Sequence, residues 1–139
     1  MALTNYLLDT SVWNRARLPA LASTIRSLSR AGRLYTCPVL ELEAQYSATS
    51  PKDYEAMLMN RAALLIPAFM DDREWARALE VQAVLAGQGR HRAVGIADLL
   101  IAAAAERHGL TVLHYDSDFD VVTDITGQAT EWVAPSGDL

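Results

Sequence analysis

The chain is short of several residue types, and each shortage excludes a class of protein. It has a single cysteine, Cys37, so no disulfide can form within it, which agrees with a reducing compartment. Only 5 Pro and 7 Gly accompany a hydrophobic content of 51%, which argues against extended disorder and for a compact globular protein. The longest uninterrupted apolar run, residues 99–105, is too short to span a bilayer.

The amino-terminal residues lack the basic flank that precedes the apolar segment of a signal peptide. We therefore expect a cytoplasmic protein with no membrane partner. A length of 139 residues is enough to bury a core of ordinary size. We expect one domain that covers residues 1–139.

Lysine is almost absent, because Lys52 is the only lysine among 12 basic residues, and the formal net charge is −5. This negative balance argues against a general coat for nucleic acid, since backbone phosphates would be repelled. A local patch of arginines that binds phosphates is still compatible with this net charge, because the guanidinium group forms paired hydrogen bonds with a phosphate. A genome rich in arginine codons explains the bias equally well.

Apolar periodicity and the positions of Gly and Pro predict strands that alternate with helices. The predicted strands are residues 5–8, 34–36, 64–66 and 110–115, with a last edge strand at 130–133. The predicted helices are residues 12–14, 21–32, 38–48, 51–62, 71–86 and 96–108. This order predicts an α/β fold with a parallel sheet that is covered on both faces.

Three of these helices are recognised by apolar stripes at helical spacing. The stripes are Val39, Leu42 and Tyr46 in the third helix, Tyr54, Met57, Leu58 and Ala62 in the fourth, and Trp75, Leu79, Gln82 and Leu85 in the fifth.

Four carboxylates, those of Asp9, Glu43, Asp98 and Asp116, lie at the end or edge of strongly apolar segments. An ionised carboxylate beside buried aliphatic side chains costs roughly several kcal/mol unless it is paired or binds a metal. Asp9 and Asp116 directly follow predicted strands, so they lie at the sheet edge where α/β proteins bind ligands. A shared divalent cation would account for all four.

Each acid also has a simpler explanation when it is taken alone. Asp9 could favour a helix dipole, and Glu43 could be a solvated residue on an amphipathic helix. Asp116 and Asp118 could be turn or capping residues. Asp98 resists such an explanation, because residues 96–105 offer almost no polar group to satisfy it. Taken together, the acids favour a metal site.

The metal that suits this set is Mg²⁺ or Mn²⁺, because hard cations prefer oxygen ligands. The three histidines lack the paired spacing of a zinc site. A cation held in this way can position a water, lower its pKa and offset charge on a phosphodiester. Hydrolysis of a phosphoester is therefore the predicted chemistry.

Polar residues near these acids are the candidate substrate-binding groups. Thr10 and Ser11 are predicted to support Asp9 or a water at the metal, because no His–Asp arrangement indicates a nucleophilic serine. Arg90 and Arg92 lie in a polar loop just before the Asp98 helix, where they could hold a phosphate backbone. A solvated loop is the equal alternative.

The chain resembles a PIN domain, and specifically the VapC type of toxin ribonuclease from bacterial toxin–antitoxin pairs. The matching motifs run in family order over almost the whole chain: Leu7-Leu8-Asp9-Thr10-Ser11, Glu43, residues 97–103, and Leu113-His114-Tyr115-Asp116-Ser117-Asp118-Phe119. The resemblance implies a three-layer α/β/α fold with a central, mostly parallel sheet. It also implies a Mg²⁺- or Mn²⁺-dependent endoribonuclease with an RNA substrate, a homodimer or larger toxin–antitoxin assembly, and inhibition by a small VapB-type antitoxin.

The same resemblance assigns metal binding and catalysis to Asp9, Glu43, Asp98 and Asp116, with Asp118 as a fifth contributor to the metal site. Glu41 competes with Glu43 for the glutamate position. Glu43 is favoured because the family glutamate lies a few residues inside this helix, before a stretch like Tyr46-Ser47-Ala48.

Two other functions stay open at the level of the sequence. One is a catalytically weak PIN-like binding module that acts through protein or operator-DNA complexes. The other is a metal-dependent phosphatase or a receiver domain, which also clusters acids at strand ends. A receiver needs a lysine at a later strand end, and Lys52 is badly placed for that role.

Overall fold

The computed structural model describes residues 3–139, and its strands form one sheet in the order β3-β2-β1-β4-β5. The strands are β1 (Tyr6–Leu8), β2 (Leu34–Thr36), β3 (Ile66–Pro67), β4 (Thr111–His114) and β5 (Thr130–Trp132). All four strand pairings are parallel, and β1 lies at the centre between β2 and β4. The predicted α/β fold is confirmed, and the sheet is parallel throughout the described residues.

Seven helices accompany the sheet in residues 3–139. They are α1 (Thr10–Trp13), α2 (Pro19–Arg30), α3 (Pro38–Tyr46), α4 (Pro51–Leu64), α5 (Asp72–Gly87), α6 (Ile96–His108) and α7 (Asp118–Thr126). The first six match the predicted helices. No helix was predicted at α7, because its acidic start resembles a turn. The predicted strand at 64–66 was placed too early, since α4 continues to Leu64 and β2 pairs with Ile66 and Pro67.

The core lies on both faces of the sheet, because side chains alternate along each strand. On one face, Leu8 and Leu113 pack with Leu21 of α2. On the other face, Leu7 and Val112 pack with Ile101 of α6. This arrangement gives the three-layer α/β/α architecture.

Most residues of the apolar stripes that identified three helices are exposed, although Leu85 of α5 is buried and Val39 of α3 packs against the core. In α3, Leu42 is 72% exposed and Tyr46 is 92% exposed, whereas Leu40 is buried. In α5, Trp75 is 57% exposed and Leu79 is 67% exposed. The only side chain that α4 buries is that of Arg61. Several large apolar side chains are therefore available at the surface.

None of the helices in residues 3–139 is both long enough and apolar enough to cross a bilayer.

Candidate metal centre

Adjacent parallel strands place two of the predicted acids at one edge of the sheet. Asp9 follows β1 directly, and Asp116 lies two residues beyond β4. The backbone N–H of Asp9 donates to the carbonyl of Leu113 in β4 at 3.0 Å. The two acids therefore emerge side by side, as the sequence predicted for the carboxyl ends of parallel strands.

Three carboxylates lie close enough to share one cation. One oxygen atom from each of Asp98, Asp116 and Asp118 lies within 4.8 Å of the others. Asp98 comes from the first turn of α6, and Asp118 begins α7. The Asp116 carboxylate also accepts a hydrogen bond from the Asp118 backbone N–H at 3.0 Å, which fixes this turn. Because every donor is a carboxylate oxygen, the set fits a hard divalent cation.

Charge within the cluster is unbalanced. Burial, followed by the charges of Asp9, Asp116, Asp118 and Glu43, raises the pKa of Asp98 to about 8. No arginine, lysine or histidine forms an ion pair with any of these five acids in residues 3–139. A divalent cation would supply the missing positive charge and displace the proton from Asp98.

Ser11 holds Asp9 and joins it to the loop that carries Asp116. The Asp9 Oδ2 atom accepts from the Ser11 backbone N–H at 3.0 Å and from the Ser11 hydroxyl at 2.5 Å. The same hydroxyl accepts from the Tyr115 backbone N–H at 2.8 Å. Burial raises the pKa of Asp9, the bonds from Ser11 oppose that rise, and the charge of Asp116 adds to it.

The two glutamates of α3 have different surroundings. The Thr10 hydroxyl donates to Glu43 at 3.0 Å, and burial together with the charges of Asp9 and Asp116 raises the Glu43 pKa. Glu41 instead accepts from Arg61 at 2.6 Å and from Thr36 at 2.5 Å. These bonds lower the Glu41 pKa although burial acts against them. Glu43 therefore faces the acidic cluster, whereas Glu41 is held in an ion pair.

The sequence did not indicate a role for Arg61, which is 1% exposed. Its guanidinium bonds to Glu41 of α3 and lies over the Trp13 ring of α1, 4.6 Å from the ring centroid. Its Nη1 atom has no hydrogen-bond partner among the described residues. Arg61 therefore joins α4 to both helices that border the acids. A charged side chain beside an apolar stripe in the same helix gives no sequence signal of burial.

His114 is a second residue that sequence reasoning missed. It is fully buried at the end of β4, and its Nδ1 atom accepts from the Asp116 backbone N–H at 3.2 Å. The Nδ1 atom therefore acts as an acceptor, and burial lowers the His114 pKa. The ring centroids of Phe119 and Trp132 each lie 5.0 Å from the ring centroid of His114. His114 thus helps to position Asp116.

The predicted substrate-binding residues divide into two groups. Thr10 and Ser11 bond directly to the acids Glu43 and Asp9. Arg90 and Arg92 are exposed in the loop between α5 and α6, and Arg90 donates to Gln88 at 3.3 Å. No hydrogen bond or ion pair within residues 3–139 joins either arginine to an acid of the cluster, so their role stays a prediction.

Comparison with known proteins agrees with this geometry. The profile of the family described as PIN domain matches residues 6–125. Ribonuclease VapC21 of Mycobacterium tuberculosis is 42% identical over 134 residues, which cover 96% of this chain and 97% of that protein. Ribonuclease VapC51 of the same organism is 41% identical over 140 residues, which cover 100% and 99% respectively. The chain belongs to the PIN-domain family and, within it, to the VapC ribonucleases.

Solved structures show the same fold. The structure of VapBC2 from Rickettsia felis bound to a promoter DNA fragment matches with a TM-score of 0.77 at 18% identity, over 93% of this chain and 99% of that one. DNA-bound VapBC from Salmonella typhimurium matches with a TM-score of 0.76 at 21% identity, over 93% and 98%. The resemblance to this family that the sequence motifs indicated is confirmed.

Proposed function

We propose that this chain is a metal-dependent endoribonuclease of the toxin type that hydrolyses RNA phosphodiester bonds. The observation that carries the proposal is the convergence of five acids that form no ion pair with any of residues 3–139, and three of these acids can share one cation. Mg²⁺ or Mn²⁺ suits this all-oxygen donor set. Relatives of about 42% identity that bear the name ribonuclease support RNA as the substrate.

In this proposal Asp98, Asp116 and Asp118 hold the cation, and Asp9 and Glu43 complete the site. A bound cation would lower the pKa of water and offset charge on the phosphodiester. Ser11 and Thr10 keep the carboxylates of Asp9 and Glu43 oriented. Attack of water on phosphorus breaks the bond to the 3′ oxygen, and the products are a 5′-phosphate and a 3′-hydroxyl.

We also propose the partners that the family resemblance implies. The fold neighbours named above are VapBC complexes, which supports a small VapB-type antitoxin that covers the acidic cluster of this chain. A homodimer is supported by a cleft of about 180 Å³ between α5 and α6, which is lined by Trp75, Leu79 and Ile96 among others. Residues 1–139 are proposed to act as one domain.

The test is cleavage of RNA by the purified protein with Mg²⁺ or Mn²⁺, with a chelator as the blank. We expect Asp98→Asn and Asp9→Asn each to lower the cleavage rate by about 100-fold or more, because each removes a charge from the metal site. Asp124→Asn is the matched control, since Asp124 is an exposed acid on α7 outside the cluster. Its rate should stay within about twofold of wild type.

The chemistry of the new RNA ends tests the mechanism separately. Hydrolysis by water leaves 5′-phosphates, so cleavage that produces only cyclic phosphates would contradict it. A folded wild-type protein that binds metal but cleaves no RNA would support the binding-module alternative instead.

A further inference from the structure

Positive charge is concentrated in one segment of this acidic protein. Residues 10–40 contain five arginines and no aspartate or glutamate, although the whole chain has a formal net charge of −5. This segment forms α1, α2 and β2. Arg26 and Arg30 lie on α2, Arg15 and Arg17 lie in the turn between α1 and α2, and Arg33 precedes β2.

The arginines of this segment differ in whether they form hydrogen bonds or ion pairs with the rest of the protein. Arg15 donates to the Ser11 carbonyl and lies over the Tyr115 ring, and Arg33 donates to the Thr4 carbonyl. Arg17, Arg26 and Arg30 are exposed and form no ion pair with any of residues 3–139. Their guanidinium groups are available to a ligand.

Two of these three exposed arginines line a groove. The groove lies between α1 and α2 on one side and α4 on the other, and has a volume of about 680 Å³. Arg17 and Arg26 contribute positive charge to its lining and Asp53 contributes one negative charge. Asn14 and Asn60 contribute amides, and Trp13 and Met57 contribute apolar surface. Arg30 is on the same helix as Arg26 but does not line the groove.

The groove begins beside the acidic cluster. Trp13 and Asn14 belong to the turn and cap of α1, whose N-cap residue is Asp9. Four residues of helix rise only about 6 Å. A strand whose scissile phosphate lies at the acids must continue across neighbouring surface, and this groove offers exposed arginines there.

We propose that this α1–α2–α4 groove binds single-stranded RNA on one side of the cleavage site. Arg17 and Arg26 would contact phosphates, and the Trp13 surface would contact a base. A single strand presents both phosphates and base faces, and the mixed lining of the groove matches both. The inference rests on the proposed ribonuclease function and extends it to the path of the substrate.

Arg26 and Arg30 provide a matched pair of variants, because both are exposed and unpaired on α2 and lie four residues apart. Binding of a short labelled single-stranded RNA is measured by fluorescence anisotropy on the Asp98→Asn background, where cleavage is blocked. We expect Arg26→Gln to weaken the RNA Kd by about fivefold, and Arg17→Gln/Arg26→Gln by about 20-fold. Arg30→Gln should change it by less than about twofold.

The salt dependence provides a second measurement. Each lost phosphate contact to a single strand should lower the slope of log K against log salt by about 0.7, so the double variant should lose about 1.4. Thermal unfolding should be unchanged in all three variants, because the mutated side chains are exposed.

Equal effects of Arg26→Gln and Arg30→Gln would overturn the proposal, since only general charge would then matter. So would a double variant that keeps its RNA affinity but loses affinity for a VapB-type antitoxin, because the groove would then belong to the protein partner. Wild-type protein that neither binds nor cleaves RNA would instead overturn the proposed function itself.

Discussion

The hydroxyl group of Ser11 connects the turns from which Asp9 and Asp116 emerge. It donates to Asp9 and accepts from the Tyr115 backbone. A single oxygen therefore fixes the relative position of acids that come from two different strands. The sequence predicted that Ser11 supports Asp9, but it gave no signal for the contact to Tyr115, which lies 104 residues away.

Ser11→Ala should lower the free energy of unfolding by about 1–3 kcal/mol, because the Tyr115 N–H and Asp9 would each lose a partner. It should also weaken Mn²⁺ binding, since Asp9 would no longer be held. Denaturant unfolding and metal titration measure the two effects. Ser11→Thr keeps a hydroxyl and should recover much of the loss, and Ser23→Ala on exposed α2 is the control. If Ser11→Ala has the same free energy of unfolding and the same Mn²⁺ affinity as wild type, this role of Ser11 is wrong.

Asp98 should make the metal-free protein less stable as the pH rises. Its pKa is raised to about 8 in the folded state from 3.8. The folded protein therefore binds the proton more tightly than the unfolded chain, and stability falls with increasing pH between these two values.

Asp98→Asn should flatten this pH dependence. In the presence of a chelator, we expect the variant to be more stable than wild type by about 1–2 kcal/mol near pH 9 and similar to it near pH 4. Urea unfolding at both pH values measures the difference, with Asp124→Asn as the control. A variant that loses stability at high pH as steeply as wild type would show that Asp98 is not the group responsible.

The acids of the site were predictable to different degrees. Asp9, Asp98 and Asp116 stand out because each is a charge at the end of an apolar segment, and strand order alone brings two of them together. Glu43 stays the proposed site glutamate, and the structure supports that choice because Glu41 is bonded to Arg61, a partner 20 residues away. No local pattern encodes that contact, so the sequence could not decide between them by physical reasoning.

At the scale of secondary structure, α4 is attached to the rest of the molecule in an unusual way. Arg61 is the only buried side chain of this helix, and it reaches Glu41 and the Trp13 ring. The carboxyl-terminal half of α4 is therefore attached mainly through the contacts of Arg61 with Glu41 and Trp13. The open groove beside α4 follows from this limited packing.

Arg61→Met should destabilise the protein by about 3–5 kcal/mol, because Glu41 and Thr36 would lose the group that satisfies them. The double variant Arg61→Met/Glu41→Gln should recover part of that loss, since no partly buried charge would then be left alone. Chemical denaturation measures both variants, and Arg30→Gln provides an arginine control. An Arg61→Met protein as stable as wild type would mean that the ion pair contributes nothing net.

Helix positions were predicted well, and Leu21 and Ile25 of α2 are buried as their spacing predicted, but in α3, α4 and α5 most of the marked apolar residues are exposed. The stripe in α5 marked by Trp75 and Leu79 is exposed, and the core is made by Ala78, Val81 and Leu85. Small residues such as alanine give a weak periodic signal, whereas large exposed apolar residues give a strong one. Helix α7 was not predicted at all. Its buried residues Phe119 and Val122 lie close to the acidic residues of its first turn, which resemble a turn sequence.

At the scale of the whole molecule, the exposed apolar cleft between α5 and α6 bears on self-association. Leu79→Glu should shift the protein to a monomer, because it places a charge in a surface that a second copy would cover. Sedimentation velocity over a range of concentrations measures the change. Val84→Glu is the control, since Val84 is half-exposed on the same helix but does not line the cleft. A wild-type protein that is monomeric at all concentrations would rule out this dimer.

The central position of β1 has a consequence for synthesis in the cell. Strand β1 is synthesised before β4 and can pair with it only later, and the contact from Ser11 to Tyr115 spans 104 residues. Before that pairing, the Asp9 N–H lacks the Leu113 carbonyl, and Asp116 does not lie beside Asp9. The acidic cluster can therefore assemble only after β4 has been synthesised and paired with β1.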